Sequence, residues 1–90
     1  MKFDLSSVLA RRVEAENPPI WYGDLSDDCS SHWAGFLLRA EWMEDTFWWW
    51  SVTDLASGMT IADSNQLIIP VTSGELARQS CVDAVRRFLG

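Results

Sequence analysis

The chain has no apolar run near the roughly 20 residues that a membrane-spanning helix needs; its longest, residues 47–50 and 67–69, are a few residues long. Its start carries Asp4 and then Arg11 and Arg12, with no continuous apolar segment and no clear cleavage pattern, so no signal peptide is expected. There are two cysteines, Cys29 and Cys81, and one histidine, His32. Without an export signal, two cysteines suggest free thiols and a cytoplasmic location, and nothing in the sequence supports a disulfide between them. A metal site needs three or four ligands; beside Cys29 and His32 there is no second histidine, and Cys81 falls on a helix stripe far along the chain. No phosphate-binding glycine loop, dinucleotide fingerprint or nucleophile elbow occurs. No catalytic residue, cofactor or metal is expected.

Basic residues are also few. Seven Lys and Arg stand against 13 Asp and Glu, for a net charge of −6. The excess lies in the middle: residues 24–63 hold eight acids and only Arg39, a net −7, while the flanking segments are near neutral. Nucleic-acid backbones demand clustered cations, so binding to DNA or RNA is not expected. The 90 residues allow one domain with one core.

What the chain has in quantity is tryptophan, six residues. An indole is costly to expose, and its N–H wants a partner when buried. Either the core is rich in Trp or some Trp faces another chain.

The pattern of apolar residues predicts the elements. Leu5, Val8, Leu9 and Val13 recur at helical steps, which predicts a helix over residues 4–16 with Asp4 or Ser6 at its start and Asn17-Pro18-Pro19 ending it. Residues 20–31 carry Gly23, three Asp and three Ser and read as a loop, with room for one helical turn near residues 27–31. Residues 33–44 alternate as a strand whose even positions, Phe36, Leu38, Ala40 and Trp42, form the apolar face. After a turn at 44–46, residues 47–53 form a second strand. A three-residue loop would set Trp42 opposite Trp48 and keep both even faces together. Residues 54–58 make a turn and 59–64 a third strand, with Val52 expected opposite Ile61. Residues 67–71 extend that strand or connect it onward. Thr72-Ser73-Gly74-Glu75 reads as a capping box, with Thr72 as the cap, Glu75 reaching back and Val71 stapled to Leu76. The helix it opens runs to Leu89, with Arg86 and Arg87 at its C-terminal end.

The expected fold is therefore α+β: a three-stranded antiparallel meander with a C-terminal helix on one face and an N-terminal helix nearby. Phe36, Leu38, Trp48, Trp50, Val52, Ile61, Ala77, Cys81, Ala84, Val85 and Phe88 should form its core. The opposite face carries Phe47, Trp49, Leu37 and Met43, and these are the candidate interface residues. An open aromatic face marks a contact with a second chain, unless the N-terminal helix or the 20–22 segment covers it.

The order helix, three strands, helix resembles the double-stranded RNA-binding domain. Residues 72–89 are similar to that family's last helix, with Ala77 and Ala84 at compatible places. The resemblance implies a fold and does not carry RNA binding over, because Glu75 and Leu76 stand where the family has basic residues and only Arg78 remains. The function expected is a small non-catalytic protein acting by protein–protein contact, through self-association or with another protein. The alternatives are an acidic inhibitor whose carboxylates occupy a partner's nucleic-acid groove, and a divergent RNA-binding domain.

Overall fold

A computed structural model describes residues 5–66 and 71–90. It is an α+β arrangement with one hydrophobic core. Helix α1 (Leu5–Glu14) is followed by five strands: β1 (Tyr22–Gly23), β2 (Asp28–Trp33), β3 (Phe36–Glu44), β4 (Phe47–Asp54) and β5 (Thr60–Asp63). A short 3-10 turn (Ser64–Gln66) precedes α2 (Gly74–Leu89). The strands form one antiparallel meander in the order β1-β2-β3-β4-β5, and α2 lies across β3 and β4.

The sheet has five strands where three were expected. The two extra strands lie in the segment read as a loop. Asp24, Ser26 and Asp27 do make a turn there, with Asp24 Oδ1 accepting from Ser26 N at 2.9 Å and Asp27 N donating to Asp24 O at 3.0 Å. The polar residues that follow it, Ser30 and His32, are the solvent side of β2, while Cys29, Ser31 and Trp33 are its buried side. The strand expected to begin at Trp33 is broken by a hairpin turn at Ala34 and Gly35. Both have positive φ, 54° and 83°, the backbone of a two-residue turn that suits the twist of paired strands.

The register at the β3–β4 hairpin keeps Trp42 opposite Trp48, as expected. The loop differs. Glu44 pairs with Phe47, so the turn is Asp45-Thr46, and Met43 is an extra residue bulged out of the ladder. A bulge lets a tight turn close without swapping the faces. A second irregularity puts Ala62, not Ile61, opposite Val52, and Ile61 is only half-buried.

The core is the even face of β3 and β4, the odd face of β2 and the inner side of α2. Phe36, Leu38, Trp48, Trp50, Val52, Ala77, Cys81, Ala84 and Val85 are buried together, joined by Cys29, Trp33 and Ala40. Phe88 is not in it. It is 56% exposed and touches the core only edge-on through Phe36, at 5.5 Å between ring centroids. Val82 and Leu89 take the inward positions instead. The cap of α2 is Ser73 and not Thr72: Ser73 Oγ accepts from Leu76 N at 3.1 Å. Val71 is buried but Leu76 is exposed, so the expected staple does not form.

Of the apolar stripe expected on α1, Leu9 and Val13 face solvent, and arginine side chains tie the helix to its neighbours. Arg11 Nε donates to Ala34 O at 2.8 Å, and its guanidinium lies 4.4 Å from the Phe36 ring centroid. Arg12 Nε donates to Leu89 O at the end of α2, and Arg86 Nε returns a bond to Ala15 O just beyond α1. The expectations for Asp4, for the side chains of Ser6, Leu5 and Val8, and for residues 67–70 lie outside the described residues.

Candidate interaction surface

The pairing register assigns each side chain on the sheet to a face. Helix α2 covers one face. On the other, one row runs Asp28, Glu41, Trp49; the next runs Tyr22, Ser30, Arg39, Ser51, Asp63; the third runs His32, Leu37, Thr53, Thr60. Apart from Ser51, every side chain in these rows keeps solvent contact. Helix α1 reaches the Phe36 side of the sheet, and Trp21 with Pro18 and Pro19 lines a groove against α2. Tyr22 is exposed in the middle row of the open face.

Of the four candidate interface residues, Leu37 and Trp49 are half-buried on this face, Leu37 by the Ala34–Gly35 turn and Trp49 toward the β3–β4 hairpin end. The Arg39 guanidinium sits 6.0 Å from the Trp49 ring centroid, with Asp28 at 3.6 Å and Glu41 at 3.9 Å. Met43 and Phe47 lie at the end of the β3–β4 hairpin, 50% and 44% exposed. There they are joined by a residue that the alternation assigned to the apolar face, Trp42, which is 43% exposed. It lies at the last paired position before the bulge. Trp42 keeps the face of Trp48 and Phe47 lies on the open face, so the hairpin end exposes apolar side chains on both sides of the sheet.

This tip is ordered by two hydrogen bonds. Trp42 N donates to Asp27 O at 2.6 Å, joining it to the turn before β2, and the indole Nε1 donates to Asp45 O at 2.7 Å. Asp45 itself adopts a positive φ of 49°. The indole is thus fixed while its ring stays open to water.

The charge gathers at the same end. Asp28 and Glu41 face each other across β2 and β3, Glu44 pairs with Phe47, Asp45 forms the turn, and Asp24 and Asp27 lie in the loop bonded to Trp42. Two guanidiniums answer these six carboxylates: Arg39, and Arg78, whose Nη1 donates to Leu25 O at 3.0 Å. Arg11, Arg12 and Arg86 lie at the other end, by the Ala34–Gly35 turn and the α2 C-terminus. Hydrogen bonds from Ser26 hold the Asp24 carboxyl below the usual carboxylate range.

The Cys29–His32 pair is split by its strand. Cys29 points into the core, its thiol 3.7 Å from Ala40 O, while His32 is exposed on the opposite face. It is a strand thiol and not the loop thiol expected. Burial raises the Cys29 pKa, and pushes that of Cys81, held between Arg39 O and Ser51 O, up to about 12. Among the described residues no three His, Cys, Asp or Glu side chains converge as metal ligands, and no helix is long and apolar enough to cross a membrane. Comparisons with family models, with curated proteins and with solved structures find no match for this chain.

Proposed function

We propose that this protein is a small non-catalytic interaction protein that binds another protein chain through the aromatic end of its β3–β4 hairpin. The tip residues Trp42, Met43 and Phe47 make the contact, and Trp49 flanks it on the open face. The observation that carries the reading is the fixed, exposed indole of Trp42 at a hairpin end that also exposes Met43 and Phe47. A cluster of this kind is costly in water and gains nothing for the core. Aromatic side chains held rigid before binding lose little entropy on contact, which is how interface anchors work. The non-catalytic reading is supported by the placement of the thiols: both are buried in protonated form, and the histidine is turned away from the nearer one.

A display library of random peptides, selected on the immobilised full chain, tests the reading. A Trp42→Ser/Phe47→Ser double variant, shown by circular dichroism to be folded, serves as the counter-target. Peptides that bind the wild type and lose at least about tenfold in affinity on the double variant are expected, since hot-spot aromatics each contribute upwards of about 1–2 kcal/mol. Peptides that bind both proteins equally would sink the assignment.

A further inference from the structure

We infer that the partner presents a cationic surface, Lys or Arg side chains around an apolar socket, and that it is not a second copy of this chain. The inference rests on the reading that the β3–β4 tip is the contact surface, and concerns what covers it. Trp42, Met43 and Phe47 are the apolar centre; Asp27, Glu41, Glu44 and Asp45 are their neighbours in the register and turn. An apolar centre within a charged rim is the usual anatomy of a protein contact. Here the rim has one sign. Arg39 is already drawn to Asp28 and Glu41, and Arg78 is bonded to the Leu25 carbonyl, so neither guanidinium stands free at the tip.

A two-fold pairing of tips would set each set of carboxylates against its own copy. Like charges brought together at an interface cost several kcal/mol, and among the described residues Arg39 and Arg78, the cations at this end, are already engaged. A cationic partner meets the same carboxylates with attraction and is steered toward them before contact. The helix axis adds to the polarity: α2 starts beside Trp48, near the tip, and ends beside Arg12, so Glu75 and the Arg86–Arg87 pair lie where its dipole favours them. The molecule, 44 Å in its longest dimension, therefore offers an acidic apolar end, with Arg11, Arg12 and Arg86 gathered at the other.

The peptides selected on the full chain carry the test. Those that depend on Trp42 and Phe47 should be rich in Arg or Lys beside apolar residues. Their affinity should fall about tenfold between roughly 50 and 500 mM salt, and by a similar factor on a Glu41→Gln/Glu44→Gln/Asp45→Asn variant that keeps the apolar surface. Tip-dependent peptides of neutral or acidic sequence, insensitive to salt, would overturn the inference and leave the contact surface standing. Peptides indifferent to Trp42 and Phe47 would remove both. Light scattering that shows a dimer of the wild type, made monomeric by Trp42→Ser/Phe47→Ser, would overturn the inference in favour of a second copy.

Discussion

The indole of Trp48 occupies the space where a side chain on Gly74 would go. A β-carbon at Gly74 would lie 2.8 Å from Trp48 Cη2 and 2.9 Å from Cζ2, closer than real β-carbons approach anything. Gly74 opens α2, so the missing side chain lets the helix start against the sheet.

In most helices a Gly→Ala change at a compatible backbone stabilises by about 0.4–1 kcal/mol. Here Gly74→Ala should destabilise by about 1–3 kcal/mol, the usual cost of overpacking. Urea unfolding of Gly74→Ala, Trp48→Phe and the double variant checks this. The smaller ring should absorb most of the Ala penalty, giving a coupling of about 1 kcal/mol or more. Additive losses would show that the two residues do not share the space.

Arg11 binds α1 to the sheet by geometry as well as charge. Its Nε bonds Ala34 O, its plane lies on Phe36, and Asp54 Oδ1 is 3.5 Å from Nη2. Lysine keeps the charge but has neither the planar fork nor the stacking surface. Arg11→Lys should therefore lose nearly as much stability as Arg11→Ala, about 1–3 kcal/mol, the range for a bond involving a charged group. Full rescue by lysine in thermal melts would reduce the contact to a simple ion pair.

The two thiols predict a pH response. Burial raises the Cys81 pKa from 9.0 to about 12, and raises that of Cys29 in the same direction. A thiol with a higher pKa folded than unfolded holds its proton more tightly in the native state. Its contribution is full below pH 9 and is lost progressively as pH rises toward about 12. Stability should fall across that window, and less steeply in Cys81→Ala than in the wild type. Native protein at pH 8 should resist a thiol reagent that titrates both cysteines in urea. Rapid reaction of Cys81 without unfolding would contradict its burial.

The elements that the sequence makes legible are those with period and length. The even faces of β3 and β4, the Trp42–Trp48 register and the Ala77-Cys81-Ala84-Val85 stripe follow from alternation and helical spacing, and they are the core. Residues 20–31 misled because a strand with one solvent face is written in Ser, His and Asp, the letters of a loop. Ala34 hid a turn, since only tertiary packing holds a non-glycine residue at positive φ in a buried site. Leu9 and Val13 suggested a buried stripe, yet both face solvent, and arginine–carbonyl bonds tie α1 to its neighbours. At the candidate surface, Phe47 and Met43 were readable from parity. The exposure of Trp42 was not, because alternation puts it on the same face as the buried Trp48.

Trp42 and Trp50 separate folding from contact within one pair of strands. Trp50 is 2% exposed and sits opposite Ala40 beneath α2, so Trp50→Ala should cost about 3–5 kcal/mol, as for other buried aromatics. Trp42 is 43% exposed. It supports the fold only through its cross-strand neighbour Trp48 and its bond to Asp45 O. A cross-strand pair is worth about 0.2–1 kcal/mol, so Trp42→Ser should cost about 1 kcal/mol or less. Urea unfolding of the two variants, followed by far-ultraviolet circular dichroism, gives both numbers on one scale. A loss at Trp42 equal to that at Trp50 would place its ring in the core and leave the tip without its anchor. A small loss there leaves a rigid aromatic side chain whose removal the fold tolerates, which is what the proposed contact requires of its anchor.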